Sequence, residues 1–154
     1  MNVTLCVDLR DGLRPVAATI RFVSLAGADV EIVHVREAAA RTDLEHALRP
    51  GLVRPRLRET EVALRADEDS RMEEIYRRAR ALLRAAGCGT VALSLLDGQA
   101  SQAIVRHIAQ RGTDLCVIGR RPDWDEASEL GPRSVGKTAR YIIDHANCPV
   151  LVLR

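Results

Sequence analysis

The feature that most constrains this chain is a set of short runs of consecutive apolar residues, each followed by a stretch whose apolar positions recur at helical spacing. Residues 150–153 are unbroken in this way, 114–118 is so after its opening Asp114, and 3–7 is interrupted only by Thr4, where a strand with one face in water would alternate apolar and polar residues. A strand apolar on both faces belongs in a parallel sheet covered by helices on both sides. Two further strands are expected at residues 31–35 and 90–96.

Helical stripes fill the gaps. Leu13, Val16, Ala17, Ile20 and Val23 form one, with Gly27 able to stop it. Met72, Ile75, Tyr76, Ala79, Leu82, Leu83 and Ala86 form a second, which Asp69 or Ser70 is placed to cap and Gly87 to end. Ala100, Ala103, Ile104 and Ile108 form a third, stopping at Gly112. Val135, Thr138, Ala139, Ile142, Ile143 and Ala146 form the last, broken by Pro149. Residues 36–67 are less regular, with Pro50, Gly51 and Pro55 as breakers and a short helix expected at 42–48. With right-handed crossovers, the alternation folds into a three-layer α/β sandwich around a five-stranded parallel sheet. Ligands of such sheets sit at the carboxyl ends of the strands, where strand order reverses.

A chain of 154 residues suits a single domain, 1–154. No apolar run approaches the roughly 20 residues that span a bilayer, and residues 1–8 lack the pattern of a secretory signal, so a cytoplasmic protein is expected. A net charge of +2 and an aromatic content of 3% give little for a nucleic acid to bind. Cys6, Cys88, Cys116 and Cys148 are too widely spaced for a zinc ribbon or a disulfide framework and read as reduced apolar residues.

One segment carries chemistry. Gly131 to Thr138, GPRSVGKT, matches the phosphate loop GxxxxGK[ST], in which backbone N–H groups cradle phosphates, lysine reaches the outer charge and the hydroxyl holds Mg²⁺. Its setting excludes a P-loop NTPase. The nearest strand ends near Gly119, and the sixteen residues after Thr138 leave no room for a strand ending in a metal-binding aspartate. Gly136, Lys137 and Thr138 nevertheless begin a helix, whose unpaired N–H groups and dipole attract an anion in any fold. Lys137 is the only lysine among 23 basic side chains, and a compact ammonium suits a phosphate. Asp8, at the end of the first strand, is placed either to accept from a ribose hydroxyl or to hold the turn that follows.

The opening strand ending in Asp8, the second strand ending in His34 and Val35, the phrase GTDLCVIG at 112–119 and the ending HANCPVLVL at 145–153 together resemble the universal stress protein family over nearly the whole chain. The resemblance implies a Rossmann-like sheet in the order 3-2-1-4-5, a dimer, and ATP held through a motif GxxGx9G[ST]. Gly119 and Gly136 align with its first and last glycines. Pro122 stands in place of the middle one, the interval is four residues longer than in the motif, and Lys137 follows Gly136, with the hydroxyl moved to Thr138. The implied site comprises Asp8, Val35, Gly119, Arg121, Gly136, Lys137 and Thr138, with backbone groups of Val35 on the adenine edge and ATP carrying Mg²⁺. Arg121, with Arg120 and Arg133, would offset the acidic loop 123–129, which holds the only tryptophan, Trp124.

In the implied order Val150–Leu153 lies at the sheet edge, where an apolar strand invites a second copy, so a homodimer is expected. His34, His46, His107 and His145 do not cluster, and Ser134 and Thr138 have no identifiable base. The expectation is therefore a non-enzymatic, ATP-binding stress-response module acting through dimer or partner contacts. The alternative is a dimeric interaction domain of the same fold that binds no nucleotide.

Overall fold

The computed structural model describes residues 1–36, 54–119 and 135–153. Five strands, β1 (Asn2–Cys6), β2 (Asp29–Arg36), β3 (Val91–Asp97), β4 (Leu115–Gly119) and β5 (Val150–Leu153), alternate with four described helices. These are α1 (Arg14–Phe22), α2 (Arg54–Ala85), α3 (Ala100–Arg111) and α4 (Lys137–His145). The sheet is parallel throughout, in the order β3-β2-β1-β4-β5. The chain winds outward through β1, β2 and β3, then crosses back to β4 and β5, so order reverses between β1 and β4.

Both faces are covered, as the unbroken apolar runs require. Val3, Leu5, Val30, Ile32 and Val117 pack on Val16 of α1 and on Met72, Ala79 and Leu83 of α2. Val33, Cys116 and Ile118 point the other way, onto Ile104 and Ile108 of α3 and Ala139 and Ile142 of α4. Leu5, Ile32, Leu83 and Ile108 are completely buried, and each such side chain contributes about 1.5–3 kcal/mol. Thr4 is the polar exception at the centre of β1. Its hydroxyl is paired with that of Thr113 at 2.7 Å, which satisfies both in the core.

The long helix departs most from expectation. Asp69 and Ser70 do not cap it; they lie in the middle of 32 helical residues that begin at Arg54. Pro55 is not a breaker but the second residue of the helix, a position where a missing N–H costs nothing. Asp69 instead pairs with Arg36, and the Ser70 hydroxyl donates to the Ala66 carbonyl one turn back. Residues 62–67 are exposed on every side, and packing begins only at Glu68. Leu82, expected on the buried face, is 42% exposed beside the fully buried Leu83.

The first helix is also shorter than its stripe. It ends at Phe22, where Val23 turns extended, and Gly27 lies in the following turn at φ 69°. Gly112 does terminate α3, in the left-handed conformation its stop requires. The short helix expected at 42–48 falls outside the described residues.

Candidate functional site

Because every strand is parallel, the carboxyl ends of β1, β2 and β4 share one edge of the sheet. Helix α4 returns from that edge, so its amino terminus lies there too. Asp8, Val35, Gly119, Gly136, Lys137 and Thr138 are thereby brought to one side of the molecule; Arg121 lies outside the described residues, as does the acidic loop with Trp124.

Asp8 stands two residues beyond the end of β1, not within it. Its carboxylate accepts from the Arg10 N–H at 2.9 Å, and its carbonyl accepts from the N–H groups of Asp11 and Gly12 at 3.0 and 3.3 Å. The side chain thus closes the turn that leads into α1, in the manner of an Asx turn. It stays exposed, with acceptor capacity left over.

Gly119 ends β4 under tight steric control. A Cβ there would lie 3.3 Å from the Asp11 carboxylate and 3.4 Å from the Pro15 ring. The absent side chain lets the β1–α1 turn lie against β4 at the reversal point. Gly136 adopts φ 85° and ψ 158°, a conformation reserved for glycine, and its carbonyl accepts from Arg140 in the first turn of α4. Gly136, at the N-cap position, has no side chain to cap that helix, and Lys137 and Thr138 are exposed at its start. Backbone N–H groups at such a terminus retain their affinity for an anion.

Val35 sits one residue before the end of β2. The β1–β2 ladder runs to Cys6 opposite Val33, with one more bond, Val7 N–H to the Val33 carbonyl, at 2.9 Å. Even-numbered residues of β2 face β3, as the bonds Val30 N–H to Thr90 and Gly98 N–H to Arg36 show. Odd-numbered ones face β1. The N–H and C=O of Val35 therefore point together across the end of β1.

Two side-chain contacts that periodicity did not reveal close the same edge. His34, 5% exposed, places Nδ1 3.0 Å from the Val7 carbonyl and Nε2 2.9 Å from Glu68 of α2. Arg36 spans Asp69 of α2 and Asp97 at the end of β3, at 3.0 and 2.8 Å. Burial works against the guanidinium charge, but the hydrogen bonds to Asp97 and Asp69 outweigh it and raise the Arg36 pKa. The available signal was a pair of acids, Glu68 and Asp69, just ahead of the apolar stripe of α2 and a polar residue inside a buried strand.

A second cluster is suggestive in composition only. On the α3 face, buried Glu31 accepts from the Ser94 hydroxyl, while His107 Nε2 and Arg111 Nε stand 3.1 and 2.6 Å from its other oxygen. A catalytic triad needs serine on the imidazole; here, among the described residues, the serine is on the carboxylate. The thiols of Cys6 and Cys116 are paired with each other instead. The Cys6 thiol is hydrogen-bonded to Cys116, and that bond with burial raises its pKa well above the ordinary value. Among the described residues no group of three His, Cys, Asp or Glu side chains is arranged to hold a metal ion. None of the described helices is long and apolar enough to cross a membrane.

The same architecture recurs in solved structures. Universal stress protein UspA from Lactobacillus plantarum superposes with a TM-score of 0.73 at 18% identity, over 100% of this chain and 97% of that one. The universal stress protein from Archaeoglobus fulgidus in complex with dAMP gives 0.63 at 19% identity, over 100% and 98%. A universal stress protein family protein from Arabidopsis thaliana with AMP bound gives 0.61 at 12% identity, over 99% and 90%. Among curated proteins none matches the chain. At such identities structural likeness speaks for the fold alone. The sequence profile of the universal stress protein family, however, matches residues 1–154 from end to end, and the strand order is the one its characteristic phrases imply. The chain belongs to the universal stress protein family.

Proposed function

We propose that this protein binds an adenine nucleotide, ATP with Mg²⁺, along the carboxyl edge of the sheet and acts as a cytoplasmic stress-response module rather than as an enzyme. The observation that carries this reading is the start of α4. A helix amino terminus follows a glycine at positive φ and presents exposed Lys137 and Thr138 at the edge where strand order reverses. Relatives of the same fold hold dAMP and AMP. In this reading Gly119, Arg121, Gly136, Lys137 and Thr138 take the phosphates, the N–H and C=O of Val35 meet the base, and Asp8 accepts from the ribose while still closing its turn. Mg²⁺ would accompany the phosphates and offset their charge, with the Thr138 hydroxyl placed to help hold it. Signalling then passes through a homodimer joined at Val150–Leu153, which lies at the sheet edge with only β4 as its described neighbour.

Equilibrium dialysis against Mg-ATP, with Trp124 fluorescence in parallel, tests the reading. Saturable binding is expected, weakened by Lys137→Ala in a salt-sensitive way. Absence of binding at about 5 mM nucleotide, which corresponds to an affinity weaker than roughly 3 kcal/mol, refutes it. The nucleotide-free dimeric domain then becomes the better account. It is favoured by Pro122 in place of the middle glycine and by the use of the Asp8 carboxylate within its own turn.

A further inference from the structure

The imidazole of His34 occupies the acceptor that would otherwise continue the β1–β2 ladder. In a parallel pair the bond after Val7 N–H to the Val33 carbonyl runs from the Val35 N–H to the Val7 carbonyl. Among the described residues the Val7 carbonyl instead receives His34 Nδ1 at 3.0 Å, and the last backbone bond between the two strands is the one to Val33. A carbonyl oxygen only accepts, so Nδ1 carries the hydrogen. The ring is held from its other side by Glu68 of α2, at 2.9 Å from Nε2. It is buried, 5% exposed, and held from both nitrogens.

We propose that His34 is a positioning residue for base recognition: by taking the Val7 carbonyl it ends the ladder one step early and keeps the Val35 N–H and C=O open for the edge of a purine. This deepens the nucleotide reading and rests on it. An open N–H beside an open C=O is complementary to adenine, which presents the acceptor N1 beside the amino donor N6. Guanine presents the opposite order, with O6 accepting and N1–H donating, so it meets like groups. Selectivity is then set by the backbone of Val35 and maintained by a side chain that never touches the nucleotide. Glu68 couples it to α2, so the long helix and the base-reading edge share one hydrogen-bonded link.

Two variants separate this role from simple stability. His34→Leu removes the donor and frees the Val7 carbonyl, which the Val35 N–H can then take. His34→Asn keeps an amide N–H near the position of Nδ1 but loses the reach to Glu68. The full chain is followed by amide hydrogen exchange resolved by NMR, first without ligand. The Val35 amide should exchange fast in wild type and in His34→Asn, and about tenfold or more slower in His34→Leu, the effect of gaining one backbone hydrogen bond. The imidazole nitrogen shifts of the wild type should report a protonated, hydrogen-bonded Nδ1.

Competition between ATP and GTP then reads the base. The preference for ATP should hold in His34→Asn and fall by about tenfold in His34→Leu, the value of one hydrogen bond on the base edge. A wild-type Val35 amide as protected as that of Val33 overturns the proposal, whatever the nucleotide result. An ATP preference unchanged in a folded His34→Leu overturns it as well. If no nucleotide binds the wild type while the exchange pattern holds, the early end of the ladder is supported and the nucleotide reading falls separately.

Discussion

Arg111→Met should destabilise this protein far more than a substitution at a half-exposed helix end ordinarily does. The reason is Glu31, whose side chain is 7% exposed and whose carboxylate has Arg111 Nε at 2.6 Å, His107 Nε2 at 3.1 Å and the Ser94 hydroxyl on its other oxygen. Breaking a fully buried ion pair from one side costs about 3–5 kcal/mol, because the remaining charge is left without compensation. Arg111 is itself 29% exposed and Glu31 keeps two other partners, so the cost falls to about 2–3 kcal/mol. For a chain of this length that lowers Tm by roughly 4–12 °C. The assay is urea unfolding of Arg111→Met, Glu31→Gln and the double variant. Glu31→Gln removes the buried charge and keeps an acceptor for Ser94. The double variant should therefore recover about 1 kcal/mol or more relative to the sum of the singles. An Arg111→Met protein within about 0.5 kcal/mol of wild type, or a strictly additive double variant, refutes the reasoning.

Adjacent leucines of α2 offer an internal comparison. Leu83→Ala should cost about 2–5 kcal/mol because Leu83 is completely buried, while Leu82→Ala, at a position 42% exposed, should cost well under half as much; equal losses in urea unfolding would mean the helix is rotated from its described setting. At the foot of β2, hydrogen bonds from the Thr90 hydroxyl and backbone N–H hold the Asp29 carboxyl below its ordinary pKa. A folded-state pKa below the unfolded one contributes stability that is present above about pH 3.9 and is lost as pH falls through the folded value. Wild type should thus exceed Asp29→Asn in urea midpoint at pH 6, with the gap closing in acid; a gap constant from pH 6 to 2 would contradict the assignment.

The five strands were legible because each is short, apolar and bounded by turn residues, and burial on both faces writes itself into composition. Observed ends differ from the sequence-based ones by one or two residues, as at β2, where pairing with β3 extends the strand to Arg36. The long helix was legible only from Met72 onward, where it touches the sheet. Upstream, residues 62–67 are exposed on every side, so no stripe exists to be read, and Asp69 resembled a cap because caps and surface partners of arginine use the same residue. In the candidate site, Gly119 and Gly136 were singled out by their match to the family's glycine motif and Lys137 by being the only lysine, and the structure gives the two glycines a close approach and a positive φ, respectively. His34 could not be found this way, since its role depends on which carbonyl lies beneath it.

By itself the sequence determined the class of fold, the two-sided covering of the sheet and the position of the last helix start, since these follow from local periodicity and turn chemistry. Only the tertiary structure decided what meets across long separations. It set Asp11 and Pro15 against Gly119, Arg111 against Glu31, and His34 between Val7 and Glu68. A hydrogen bond or ion pair acts over about 3 Å, so its existence depends on register and helix placement to within a fraction of a residue. Hydrophobic burial sums over many atoms and tolerates such shifts, which is why the core could be read from the chain and the partners of its polar groups could not.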